Sequence, residues 1–269
     1  MRVQTEEWRR FIPGSRMYKD KKTFFYNGEI LLDGENDEFL IYDWEERQTW
    51  EVVIVLPGVE VIPPDTFQFC RNVKTVIMAD SVRRIERSAF GYCKILEFVK
   101  LSRTVEFIGD SAFWYCESLS SIFIPPLCSQ IDRDAFRGCK ELIILSVPRQ
   151  TQLGECVIGR TKLLRASPYG IPLHDGLYDN ITNSNVNFWI KNIHGNDDRF
   201  ALHRACSSFN PIAQVIYEIV KRQGLMSFQR KNRIGITPTQ YLEVNPFAED
   251  IDQCSVVKRY VLEMMGEAV

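Results

Sequence analysis

Four cysteines, Cys70, Cys93, Cys116 and Cys139, recur every 23 residues, and no other reactive side chains in this sequence are so regularly spaced. A thiol ladder could form disulfides, bind a metal or supply a nucleophile. Equivalent thiols on neighbouring strands would lie ~4.8 Å apart, within the Cα range that a disulfide allows. Zinc needs ligands converging on one point, commonly as close C-x-x-C pairs, and a step of 23 makes none. A nucleophile needs a base, and the three histidines, His174, His194 and His203, offer little. His203 stands three residues before Cys206, a spacing that suits a packed helix thiol as well as a dyad. No P-loop, Rossmann fingerprint, H-E-x-x-H or G-x-S-x-G occurs. The expectation is therefore no enzyme, no metal and no cofactor. All eight cysteines should be free, with the ladder acting as small buried packing groups.

The same period governs the elements that carry the ladder. Phenylalanines keep step at Phe67, Phe90, Phe113 and Phe136. Apolar columns run through Val73, Leu96, Leu119 and Leu142, and through Val76, Val99, Ile122 and Leu145. Others run through Met78, Leu101, Ile124 and Val147, through Val59, Val82, Val105 and Cys128, and through Ile62, Ile85, Ile108 and Ile131. Columns in phase at a fixed period are the signature of a repeat stack. Within a unit, Val73, Val76 and Met78 follow L-x-x-L-x-L, which predicts a strand. Ala89, Phe90 and Cys93 would share one face of a short helical turn. With Trp44, Trp50, Val53 and Val55 in phase, the reading is about five turns over 44–158, the first and last degraded.

The pattern I-x-x-x-A-F-x-x-C-x-x-L-x-x-V-x-L, present from Ile85 to Leu101 and from Ile108 to Ile124, resembles the BspA-type leucine-rich repeats. That resemblance implies adhesion or protein interaction. Stretches such as EVVIVLPGVEVIP, ALHRACSSFNP and YVLEMMGE also resemble leucine-rich repeat proteins of diatoms. The expected fold class is an α/β repeat solenoid of 23-residue leucine-rich-type repeats, with an N-terminal β cap and a C-terminal α-helical cap.

Residues 1–43 would form that N-terminal cap. Phe24 to Leu31 reads as a hairpin around Asn27-Gly28, which suits a type I′ turn. The acidic run Asp33 to Glu38 lacks calcium-loop spacing and reads as a solvated turn. Residues 159–185 form an irregular linker, and 186–269 a helical domain. Helices are predicted at Ala201–Ala205, capped by Asp198; from Asn210-Pro211 with Ile212, Val215, Ile216, Ile219 and Val220 on one face, ending at Gly224; from the capping box Thr237–Gln240 to Asn245-Pro246; and over Val256–Met265. Leu202-His203-Arg204-Ala205 and Gly235-Ile236-Thr237-Pro238 resemble pieces of ankyrin repeats.

Composition narrows the partner. The 269 residues are 45% hydrophobic and 25% charged with a net charge of -2, so no global field draws the chain to nucleic acid or to a membrane surface. The charged start MRVQTEEWRRFIPG lacks a leader's apolar core, and no run approaches the roughly 20 apolar residues of a membrane span. A cytoplasmic or nuclear chain is expected, binding a protein partner and no small-molecule substrate. The outward rows of the strands, Val52, Thr75, Phe98, Ser121 and Ile144 beside Ile54, Ile77, Lys100, Phe123 and Ser146, are unusually apolar. From these rows, Val52, Ile54, Ile77, Phe98, Lys100, Phe123 and Ile144 are the partner-binding candidates, unless the chain's own C-terminal helices cover them. The alternative is a structural scaffold that self-assembles without a dedicated groove.

Overall fold

The computed structural model describes residues 23–28, 47–167, 173–174, 200–208 and 213–247. Its centre is a stack of parallel strands. One face carries β1 (Thr23–Tyr26), β2 (Val52–Val55), β4 (Thr75–Met78) and β6 (Phe98–Lys100) in one sheet. It continues as β8 (Ser121–Phe123), β10 (Ile144–Pro148) and β12 (Leu173–His174) in a second. The other face is a sheet of two-residue strands: β3 (Val61–Ile62), β5 (Arg84–Ile85), β7 (Phe107–Ile108), β9 (Gln130–Ile131) and β11 (Gln152–Leu153). Register steps by 23 along β3, β5, β7 and β9, as in Ile62 to Ile85 to Ile108 to Ile131. Four full turns carry a phenylalanine rung, with partial turns at each end.

The corner between the faces is not the helical turn that its apolar spacing suggests. Backbone donors alternate instead. Ala89, Gly91 and Cys93 close local turns onto Glu86, Ser88 and Phe90, while Ser88, Phe90 and Tyr92 donate to Asp110, Ala112 and Trp114 of the next turn. That alternation satisfies donors in both directions, as buried backbone requires. It needs two left-handed residues four apart in each corner. They are Asp65 and Phe69 (φ 58° and 62°), Ser88 and Tyr92 (52° and 60°), Ser111 and Tyr115 (58° and 56°), and Asp134 and Gly138 (56° and 81°).

The repeat runs beyond Gly154, where a strict period of 23 breaks only because one residue is missing. Cys156 and Arg160 take the next left-handed pair at 55° and 64°, 22 residues after Asp134 and Gly138. Phe136 N–H accordingly bonds the Val157 carbonyl, and Ile158 and Leu163 join the solenoid core. Thr161 then caps the short helix α1 (Lys162–Ala166) by accepting from Leu164 N–H.

At the other end, β1 pairs parallel with β2, Phe24 opposite Val53 and Tyr26 opposite Val55. β1 thereby adds a further rung to the solenoid, with Phe24 packed on Trp50 and Tyr26 on Phe67. Gly28 does take a positive φ of 95°. The proposed return strand after it, the acidic run, the Asp198 cap, the Asn210-Pro211 start and the last helix lie outside the described residues.

Among the described residues three helices follow: α2 (Ala201–Ser207), α3 (Ala213–Gln223) and α4 (Pro238–Val244), with a 3₁₀ turn over Leu225–Gln229. Phe200 occupies the N-cap of α2 without a side-chain cap. Val215, Ile216, Ile219 and Val220 are all buried, and Gly224 (φ 78°) turns the chain out of α3. Thr237 and Gln240 form the expected capping box, and Asn245 ends α4.

Candidate functional site

The thiol ladder is structural. Cys93, Cys116 and Cys139 each donate Sγ–H to the carbonyl of the phenylalanine 26 residues back, Phe67, Phe90 and Phe113, at 3.1 to 3.2 Å. A side chain one atom longer than that of alanine, and able to donate, fits beneath the next rung, which explains cysteine over alanine. Burial pushes the Cys70 and Cys128 thiols up to about 12 and those of Cys93 and Cys116 well above their ordinary value. Nucleophilic thiolate is thus suppressed at Cys70, Cys93 and Cys116. All seven cysteines among the described residues are free, and of these Cys156 is exposed. Ellman's reagent should therefore modify Cys156 in the folded protein and reach the ladder only after denaturation. Replacing Cys156 with serine should remove that native-state reaction, and rapid labelling of Cys93 or Cys116 in folded protein would contradict the packing described. Among the described residues no three His, Cys, Asp or Glu side chains group as metal ligands.

His203 also has a structural place. Its Nε2–H donates to the Ile236 carbonyl at 3.2 Å, and burial pushes its pKa below the ordinary value. Cys206 is fully buried in the core of the helical part.

The outward strand face divides into three zones. Val52 and Ile54 are buried in a cluster with Leu56, against Phe25. Phe123 and Ile144, exposed to 2% and 4%, belong to the core of the helices, together with Leu202, Cys206, Val215, Ile219 and Phe247. Ser146 Oγ donates to the Ser207 carbonyl at 3.1 Å, closing the same contact. Of the two readings of this face, coverage by the chain's own helices holds at Phe123 and Ile144. Between these covered ends Ile77, Phe98 and Lys100 are half-buried, and Lys100 lies 5.8 Å from the Phe247 ring. The seven candidates thus do not form one open surface.

A second surface went unread in the sequence. Phe69, Tyr92 and Tyr115 stack along the corner, with centroids 4.9 and 5.3 Å apart and rings within 15° of parallel. Trp114 packs edge-on to both tyrosines. Arg160 Nη1 donates to the Tyr115 hydroxyl at 2.7 Å. All three stacked rings stand at left-handed residues, where a side chain costs about 1–2 kcal/mol relative to the right-handed form. Stacking contributes about 0.5–1.5 kcal/mol per pair. The stacked row ends at Gly138, where an added Cβ would meet the Tyr115 ring at 2.9 Å.

Charges flank the rings. Two residues after the successive left-handed positions of this column come Arg71, Lys94, Glu117 and Lys140, and Lys162 follows Arg160. Glu117 is shared by Lys140 at 2.6 Å and Lys94 at 3.7 Å, and the hydrogen bond from Lys140 holds its carboxyl below the usual range. Arg137 pairs with Asp134, and Lys162 with Glu141. On the preceding flank Asp65–Arg87 and Asp110–Arg133 neutralise one another.

Comparison with known proteins bears on the solenoid. Residues 55–166 match the BspA type leucine rich repeat region in six copies. No curated protein matches the sequence. Among solved structures, a leucine rich cell surface protein from Faecalibacterium prausnitzii is 29% identical, covering 39% of this chain and 31% of its own, with a TM-score of 0.35. The leucine rich repeat protein of T. pallidum is 27% identical over 39% of this chain and 51% of its own, with a TM-score of 0.37. One from Bacteroides ovatus is 22% identical over 57% of this chain and 42% of its own, at 0.42. The chain therefore spans about half or less of each of these proteins. Among the described residues no helix is long and apolar enough to cross a membrane.

Proposed function

We propose that the chain is a protein-interaction module whose leucine-rich repeat solenoid presents the recognition surface. On this reading residues 44–158 bind the partner, with 1–43 and 186–269 as end caps, and the linker 159–185 begins by completing the last corner through Arg160 and Leu163. The observation that carries it is the half-buried apolar pair Ile77 and Phe98, held on rigid strands between two stretches of the same face that are already covered. Rigid apolar contacts bind with little ordering penalty, which suits recognition. The ankyrin-like reading of the helical cap is supported by the bond from His203 to Ile236, 33 residues on, which ties the two resembling segments together. The seven free thiols favour a reducing compartment, so we place the chain in the cytoplasm or nucleus. The F. prausnitzii protein, by contrast, is described as a cell surface protein.

The test is affinity capture from native lysate with the full chain and with an Ile77→Ser, Phe98→Ser variant. Both residues are only half-buried, so melting should shift by no more than a few degrees. A specific set of proteins should be retained by the parent and lost from the variant at least tenfold. An identical capture profile from both would overturn the assignment of this face.

A further inference from the structure

We propose that the corner ladder of Phe69, Tyr92 and Tyr115 is a second binding surface, separate from the strand face, and that it takes an extended acidic segment of a protein partner. Two observations converge on that chemistry.

The faces between stacked neighbours are occupied and Gly138 lies against the Tyr115 ring, so these half-buried rings offer chiefly their edges. A ring edge is the positive end of the aromatic quadrupole, so an outward row of edges favours anions. The same stacking disfavours nucleic acid, whose bases would need open ring faces to stack upon. Cations then line the row. Among the described residues Arg71 has no carboxylate partner, Lys94 and Lys140 share the single Glu117, and Arg160 is held by the neutral Tyr115 hydroxyl. This local excess of positive charge sits on a chain whose net charge is -2.

The dimensions also fit. From the Arg71 turn to the Arg160 turn is four rungs, about 19 Å at the usual strand spacing. An extended chain covers that in about six residues. Carboxylates along such a segment would meet Arg71, Lys94, Lys140 and Arg160 in succession, with its apolar side chains against the ring edges.

The probe is a fluorescein-labelled peptide of about eight alternating Glu and Leu residues, read by fluorescence anisotropy with the full chain. Saturable binding is expected that weakens as salt rises. The counterpart of alternating Lys and Leu should not bind. Tyr92→Gly with Tyr115→Gly removes the rings while keeping a residue suited to the backbone there, so the variant should fold and raise Kd at least tenfold. Arg71→Gln with Arg160→Gln should raise Kd and flatten the salt dependence. Ile77→Ser with Phe98→Ser should leave peptide binding unchanged, which separates this site from the strand face. The proposal is overturned by absence of saturation, by an unchanged Kd in the folded ring variant, or by tighter binding of polyuridylate than of the acidic peptide.

Discussion

Phe113→Ala is expected to destabilise the protein by about 3–5 kcal/mol, the range for removing a fully buried phenylalanine. Phe113 is 0% exposed and stacks on Phe90 at 5.2 Å and on Phe136 at 5.4 Å. Its carbonyl also accepts the thiol of Cys139, which would lose its fixed partner geometry. In a solenoid each turn touches only its neighbours, so one missing rung weakens the joint between two halves of the stack. Folded domains hold about 5–15 kcal/mol in total, so this is a large share. Melting should fall by roughly 10 °C or more in a chain of this size. Phe113→Leu, which retains most of the volume, should cost about 1.5 kcal/mol or less. A drop under about 1 kcal/mol for the alanine variant, measured by urea denaturation, would mean that the rungs are not coupled as described. Phe69→Ala provides the contrast: a stacked but half-buried ring in the left-handed corner, whose removal should shift melting far less.

Why some of this was readable from sequence, and some not, follows from how far each signal reaches. The cysteine and phenylalanine columns were visible because a buried column tolerates few residue types, so its period survives in the letters. The ring column Phe69, Tyr92, Tyr115 has the same period but stops at Gly138, and nothing in an aromatic residue announces a positive φ. A single missing residue hid the corner at Cys156 and Arg160, since a fixed period of 23 no longer aligns across it. Asn27-Gly28 is a local turn signal and speaks only for the residues beside it. The parallel pairing of β1 with β2, which begins at Val52, lies beyond the range of any local pattern. The capping box of Thr237 and Gln240 was legible because a cap is satisfied within one turn of helix. Where the helices dock was not, because an amphipathic stripe states that it must be covered without stating by what.

That docking carries the other large expected effect. Phe123→Asp should release the helical part from the solenoid. Phe123 and Ile144 are the strand residues buried in the helical core, so this contact joins the two cores directly. The native side chain there is 2% exposed among apolar neighbours, and burying an unpaired carboxylate in its place is far costlier than exposing the surface around it. The lower-energy outcome is separation, which lets the introduced carboxylate reach water. The solenoid rungs, held by Phe67, Phe90, Phe113 and Phe136, would remain stacked. Limited proteolysis should then cut within 200–247 at least tenfold faster, while the span 47–160 resists as in the parent. Denaturation should change from one transition to two. Phe98→Asp makes the matching control, since it places the same change on the same face one turn earlier at a half-buried site, and it should leave the proteolysis pattern intact. If Phe123→Asp instead unfolds both parts in a single transition, the helices are integral to the solenoid's stability. The strand face would then have been built chiefly to hold them, leaving the corner rings as the surface for a partner.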